Sequence, residues 1–599
     1  MKVVFTISFI FLCHILAGQT SWYVDQQNGS SSNNGKTPES ALNKFDDAAA
    51  SVNPGDTIFI IGEYHNKSYN PDYTYTVPDD SHLWNSENSI SVSGLHGTSS
   101  AYITITAYQG FPDRPTVIRG DGANIFRVRN CSFLRIVGLE IEGEVNNIPL
   151  STAKALQFVY IIDDGNLSGT VTNPAPSDIK HRDEEGSDPS GIYKDETYPD
   201  ISNENVKRPS YTDTRGMYFS SDINNVEIIN NTIHHTPGVG MKVADGRYVK
   251  IAGNEIHNCS RKSYSGTHAL VVTKTRPVAS GDTSVIIRNN KVHHNYNEIF
   301  SWAPGKTIIT PRIDEGKGIS LQKNNLDEWI NGGGRILVVN NLCYWNGYSG
   351  VHSNDGHKID FINNTCFMNS YTNSVTYAGT DNVGGNNIGI SAQKGSDIKI
   401  INNISVVDTD WGGYALSAGN VASGLMVESN VIWGINGTVK QDGDITAVDV
   451  NTKNANPLFI DAPETFQDDT YTFNLGLNSA SPAIGYANAA YAPATDFNRD
   501  VRDNSPDAGA LEYQGTNSIN DTPGNKTLTI YPNPFKDKIV AELQTPEDGN
   551  LMLFNVAGQA ILSRKIVSRM SLIEIDASFL KAGIYILKFN NHTNKIIKH

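Results

Sequence analysis

The sequence predicts an all-β solenoid, a right-handed parallel β-helix, and three observations point there. A short apolar run closed by asparagine recurs between Gly216 and Trp433: VEIINNTIHH (Asn230, Asn231), VKIAGNEIHN (Asn254), VIIRNNKVHH (Asn289, Asn290), ILVVNNLCYW (Asn340, Asn341), IDFINNTCFM (Asn363, Asn364), IKIINNISVV (Asn402, Asn403) and LMVESNVIWG (Asn430). The spacing is 23 residues from Asn231 to Asn254 and again from Asn341 to Asn364, a period typical of stacked repeats. The wider gaps elsewhere are those expected where loops leave one corner of a coil. Finally, the apolar runs are β-branched and alternate with period two, which marks strands rather than helices. Asparagine tolerates the left-handed backbone of a tight corner, and its amide can bond the asparagine one coil above or below. Adjacent coils would then stack about 4.8 Å apart.

A solenoid also absorbs the length, because 599 residues exceed what one compact core holds. With 52 Gly and 18% charged residues the chain reads as a turn-rich β-protein. The formal net charge of −16 argues against nucleic acid as a partner. An anionic substrate would need a locally basic groove, since the overall field repels it. Residues 1–18, with Lys2 ahead of an apolar stretch and Ala17-Gly18, read as a signal peptide too short to span a membrane. No transmembrane segment is expected. Cys343 and Cys366 lie one coil apart in equivalent phase, so a stacked, free, buried pair is expected. No CxxC or HExxH occurs, so no zinc site is expected.

The β-helix is predicted over residues 19–514. Within SWYVDQQNGSSSNNGKTPESALNKFDDAAASVNPGDTIFIIGEY, residues 41–51 read as a short helix capping the open end of the solenoid, ahead of a strand at 56–61. The first coils follow as ITITAY, TVIRG, FRVRN and FLRIVGLEIEG. Two insertions interrupt them: 144–214, which is polar and acidic, and 301–335, which carries WAPGKTIITPRIDEGKGI. Loops of that length are usually functional or disordered, and the first is expected to fold over the binding face. After Trp433 come NPLFIDAP, SPAIGYA and DAGALEYQ, then GTNSINDTPGN as a linker over 515–525, then IYPNPF, LFNVAGQ and LKAGIYILKF in 526–599. The opening and closing phrases resemble those of secreted β-helix families. The last segment resembles the C-terminal sorting domain of the type IX secretion system of Bacteroidetes. That resemblance implies a small β-sandwich without catalytic role, engagement by the type IX machinery, and a secreted or cell-surface protein.

Candidate chemistry comes from aligning coils on the strand ahead of each asparagine corner: Gly216-Met-Tyr-Phe, Gly240-Met-Lys-Val, Gly318-Ile-Ser-Leu, Gly350-Val-His-Ser and Gly389-Ile-Ser-Ala. The second and fourth places face the core and the third faces out. Tyr218, Lys242, Ser320, His352 and Ser391 therefore form one outward column, and His268 (GTHALVV) is placed in it. Ser320 and Ser391 read as polar simply because they face water. Tyr, Lys and His in a row suit a groove floor for an extended polysaccharide. At the next corner Asp222, Asp245 and Asp355 are either ordinary turn residues or part of a Ca²⁺ shell, three carboxylates being only part of what calcium needs. RIDEGKGI places Arg312, Asp314, Glu315 and Lys317 together. His234, His235, His257, His293 and His294 follow the asparagine corners and are expected to stack structurally on another face.

These columns resemble the pectate-lyase-like superfamily of β-helix carbohydrate enzymes, although neither a complete pectate-lyase calcium-aspartate motif nor the Lys/Arg motif of alginate and chondroitin lyases is matched. The resemblance implies β-elimination on a uronic-acid glycan of algal type such as ulvan or alginate, expelling either a sugar, as a lyase, or water, as an oligosaccharide dehydratase. Lys242 or His352 would be the base, Tyr218 or His268 the acid, and Arg215, Arg312 or Lys317 the carboxylate holder. Two alternatives stand beside it. One is a glycoside hydrolase using two of Asp245, Asp314, Glu315 and Asp355; the other is a non-catalytic glycan-binding surface solenoid.

Overall fold

The computed structural model describes residues 19–70, 84–156, 159–171, 174–181, 206–207, 209–210, 212–299, 315–371, 388–411, 413–514, 528–531, 535, 538–543, 549–555, 560–566, 572–589 and 592–598. The predicted signal peptide at 1–18, the linker at 515–525, Arg312 and Asp314 lie outside the described residues.

Each coil is three strands joined by left-handed corners. The strand Arg215–Ile229 bends at Ser221 and Asp222 (φ 61° and 64°), a second corner falls at Asn230 (φ 53°), and Thr232–His234 completes the coil. Strands of the first two faces join one 18-stranded sheet and those of the third face an 11-stranded sheet. All pairings from coil to coil are parallel, as between Val249 and Val285 or Ile256 and Val292. Met217, Phe219, Ile223, Val226, Ile228 and Ile233 turn inward and are fully buried, because alternate residues of a strand share a face. The result is the predicted parallel β-helix.

The asparagine pairs divide two jobs. The first of each pair takes the left-handed corner, with φ near 50–61° at Asn289, Asn340, Asn363 and Asn402; Gly253 and Ser429 do so where the pair is broken. The second forms a buried ladder. Asn231 donates through Nδ2 to Asn254 Oδ1 (3.0 Å), Asn254 to Asn290 (3.0 Å), Asn290 to Asn341 (2.9 Å), Asn341 to Asn364 (2.9 Å), Asn364 to Asn403 (3.0 Å) and Asn403 to Asn430 (3.0 Å). Each Oδ1 also accepts the backbone N–H of the asparagine one coil before, as Asn341 does from Asn290 (3.0 Å). A second ladder, Asn295 to Asn346 (2.8 Å) to Asn369 (2.9 Å), stands at the following corner. Its signal in the sequence is a further asparagine a fixed step after Asn290, Asn341 and Asn364.

On the third face His234, His257, His293 and Tyr344 stack outward with ring centroids 5.1, 5.0 and 4.7 Å apart, the structural pile expected. His235 and His294 occupy corners (φ 53° and 55°). Cys343 and Cys366 pair in register and are free, buried thiols.

Three expectations are corrected. The capping helix is shorter than 41–51: it spans Phe45–Ala49 and buries Phe45 and Ala48, because Pro38–Ser40 makes a separate 3-10 turn. The insertion 144–214 carries a helix, Leu150–Leu156, and a small antiparallel sheet centred on Val159–Ile162. Its Ile148, Leu156, Val159 and Ile161 bury against Trp84, Tyr264 and Ile299. The span 301–335 is not one insertion, since Ile319–Asn324 is a coil strand and the helix Asp327–Asn331 follows at the corner.

The closing segment returns over the third face, where Leu475, Leu477, Ala483, Ala508 and Ala510 bury against Tyr344, Phe367 and Val406. The corner asparagines hold it: Asn289 donates to Phe497 O (2.6 Å), Asn340 to Thr495 O (2.7 Å), Asn363 to Gly509 O (3.0 Å) and Asn402 to Asn488 O (3.0 Å). Buried Arg502 ties the same strap, pairing with Glu512 (2.7 Å) and donating to Asn340 Oδ1 (3.1 Å). A second compact unit, Gln514–His599, has three- and four-stranded antiparallel sheets around one core of Ile539, Leu553, Ile575 and Leu587, as expected of a β-sandwich. No helix among the described residues is long and apolar enough to cross a membrane.

Two outcomes follow. Asn341→Ala leaves buried donors and acceptors on two neighbouring coils unpaired, at about 1–3 kcal/mol each, so thermal or denaturant unfolding should show a loss at the upper end of that range. Burial, then neighbouring His234, lowers His235 and His257 from 6.5 to about 4. The unfolded chain thus binds protons that the folded one does not between these values. Stability should be full above pH 6.5 and fall toward pH 4 in a Tm series, and His257→Gln should flatten that slope.

Candidate functional site

The register fixes the outward column of the first face. Tyr218 pairs with Lys242, Lys242 with Val271, Val271 with Ser320, Ser320 with His352 and His352 with Ser391. Val271, not His268, holds the third place. His268 and Lys317 each stand two residues before the paired core positions Leu270 and Ile319, so they adjoin in a second column that Arg215, two before Met217, also joins. Lys242 and His352 therefore stand in one column and His268 and Lys317 in the neighbouring one, along a single groove.

That groove holds a cavity of about 650 Å³, lined among others by Arg215, Lys242, Lys317 and Lys323, by His268 and His352, and by Asp213 and Glu315. Tyr348, Gln322, Asn354 and Gln393 also line it. On a chain of net charge −16 this is the locally basic groove an anion requires.

His352 is oriented: its Nδ1 meets Ser391 Oγ at 2.5 Å, and the side chain lines the cavity. Burial, then Lys317 and His268, holds its proton affinity well below 6.5, so it is neutral at neutral pH. His268 is held neutral in the same way, by burial and then Lys317, and its Nε2 lies 3.4 Å from Glu315 Oε2. A neutral imidazole is a poor acid, which counts against the acid role expected for His268. Lys317 Nζ is 2.8 Å from Glu315 Oε2 and 4.5 Å from the centre of the Tyr348 ring. Burial, then Arg215, lowers Lys242 below an ordinary lysine, with Asp213 opposing. Asp213 accepts from Ser263 and from Ser265 Oγ (2.9 Å). Ser320 and Ser391 are buried rather than facing water, and each is bonded, Ser320 accepting from Gln322 Nε2 (2.6 Å).

Other expected residues lie apart. Tyr218 is outside the lining; the guanidinium of Arg127 covers its ring at 4.0 Å and that of Arg215 sits at 5.4 Å. Asp222, Asp245 and Asp355 take left-handed corners with φ 57–64°, which is the turn reading. Asp222 pairs with Arg247 at 3.0 Å, Asp245 pairs with Arg276, and Asp355 accepts from Asn325 Nδ2 at 2.6 Å. They do not converge as a calcium shell. The one group of three or more acidic or histidine side chains near enough for a metal, among the described residues, is Glu140, Glu142 and His234 on the third face. Neither Asp245 nor Asp355 lines the cavity; the acids that share it are Asp213 and Glu315.

The sequence reading missed Asp213, Lys323 and Tyr348. Asp213 ends an insertion with no strand phase, while Lys323 and Tyr348 have φ of 50° and 34° and sit outside the aligned strand positions. Lys323 had a usable signal, because Lys274 and Lys394 take equivalent left-handed places on their own coils.

The fold is a parallel β-helix, and its cavity carries more basic than acidic side chains. A model of the right handed beta helix region matches residues 185–327, and one of the secretion system C-terminal sorting domain matches 529–599. The second segment marks the chain for type IX export, to the cell surface or beyond. No curated protein matches the chain. Among solved structures it is similar to pectate lyase Pel9A, at 16% identity and TM-score 0.40, covering 83% of this chain and 96% of that one. It is also similar to a rhamnogalacturonan lyase (15%, 0.33, covering 77% and 97%) and to a GH136 lacto-N-biosidase from Eubacterium ramulus (12%, 0.33, covering 73% and 67%). Likeness at this level is one of architecture and carries no chemistry.

Glu315 neutralises part of the groove. Glu315→Gln should therefore raise the affinity of the cavity for a simple carboxylate probe such as acetate by roughly tenfold, one partly screened charge, as read by calorimetry.

Proposed function

We propose that the protein is a secreted carbohydrate-active enzyme that breaks the C4–O4 bond of a uronic acid unit by β-elimination. The observation that supports this best is the pairing of a neutral, oriented imidazole, His352 on Ser391, with cations in one cavity on an acidic protein. Lys317, one coil away, holds the uronate carboxylate and makes the proton at C5 more acidic; His352 Nε2 removes that proton. Lys242 is three coil steps from His352, about 14 Å at 4.8 Å per coil, too far to act on the same bond. With Arg215 and Lys323 it holds the charge of neighbouring units. Tyr218, four steps away, is no proton donor for this centre.

The leaving group is a sugar in a lyase and water in a dehydratase, and polyuronates of the ulvan or alginate type carry the required carboxylate. A hydrolytic reading has one specific observation in its favour: Asp213 and Glu315 share the cavity.

The test is the ultraviolet absorbance of a new unsaturated uronate, read with the mature protein on polyuronates and their oligosaccharides. His352→Ala should lower the rate at least about 100-fold. Because the proton affinity of His352 lies well below 6.5, the acid limb of kcat/KM should also lie well below pH 6.5. Mass analysis of the products tells sugar from water. New reducing ends without unsaturation would transfer the chemistry to Asp213 and Glu315, and glycan binding without either product would leave a binding solenoid.

A further inference from the structure

We infer that Tyr348 is the acid of this site, the catalytic residue that protonates O4 as the C4–O4 bond breaks; the inference rests on the elimination reading above. Such a reaction needs a donor for a sugar alkoxide or hydroxide, both poor leaving groups, within one sugar unit of the base. The donors expected from the sequence do not meet that need. Tyr218 is about 19 Å from His352 by coil steps of 4.8 Å, and His268 is neutral and paired with Glu315.

Tyr348 meets it on three independent grounds. It lines the cavity. Its ring lies edge-on to that of His352, with centroids 6.5 Å apart, and the Lys317 ammonium sits 4.5 Å from the ring centre. The base, the carboxylate holder and this ring thus line one cavity as neighbours. Its backbone is also strained, at φ 34°, a conformation that costs a bulky side chain and persists only where the surroundings impose it. Two neighbours do so: Ser370 Oγ donates to the Tyr348 carbonyl at 2.5 Å and the Ile388 N–H at 3.1 Å.

The step balances without redox change. His352 Nε2 takes the C5 proton and the C5–H pair becomes the C4=C5 double bond. The C4–O4 pair leaves with oxygen, and oxygen takes the phenol proton of Tyr348. The proton on His352 then returns to the tyrosinate, directly or through water, and resets both residues.

Tyr348→Phe keeps the ring and removes the donor. On a uronoside whose C4 substituent is a sugar or hydroxyl, this variant should lose about 100-fold or more in kcat, while calorimetry shows oligosaccharide affinity within a few-fold of wild type. On the matching 4-deoxy-4-fluoro uronoside, whose fluoride leaves unaided, Tyr348→Phe should retain near wild-type elimination and His352→Ala should lose both activities. The inference is overturned if Tyr348→Phe treats the two substrates alike, keeping both or losing both. Wild-type protein inert on every uronoside would overturn the elimination reading itself, and the role of Tyr348 with it, before any variant is compared.

Discussion

The buried asparagine ladder is the constraint on which the rest of the molecule depends. A left-handed corner leaves backbone N–H groups pointing into the protein, where an unpaired donor is costly. Each ladder amide satisfies one of them and at the same time bonds the amides of the next coil. Every coil is therefore locked in phase with its neighbours, and a slip of one residue would turn each inward side chain outward. Because phase is held over seven coils, residues scattered from Lys242 to His352 reach one cavity from separate turns of the chain.

The cavity works by the same logic of enforced placement. Burial comes first, and cations fixed on nearby coils cannot move apart, so they lower further the proton affinity of the groups beside them. His352 and His268 stay neutral where free histidines would be partly charged.

Much of this was legible in sequence because it is periodic. The solenoid, the corner asparagines, the histidine stack and most of the outward column follow from phase alone. His268 was misplaced for a local reason: its coil carries Ala269 where other coils have Gly216, Gly240, Gly318 and Gly350, so the nearest glycine, Gly266, set the count wrong by three. Asp222, Asp245 and Asp355 were found as a series, but two of their partners, Arg276 and Asn325, come from loops without period. Tyr348 and Asp213 were invisible for the same reason. The fold of the first insertion was hidden because its few apolar residues, Ile148, Leu156 and Val159, complete a cluster with Trp84 and Tyr264 from distant segments.

The closing strap changes what kind of object the solenoid is. A stack of repeats held only by neighbours can fray from either end, and its strength is a sum of local terms. Here Asn258 grips Asp469, 211 residues further along the chain, and Asn289 grips Phe497, 208 residues further on, so one late stretch of chain sutures coils laid down much earlier. The coils formed first are secured last. Until residues near 500 have arrived, the domain is an open spring; afterwards its coils loosen together or not at all, as suits a protein that must keep its shape outside the cell.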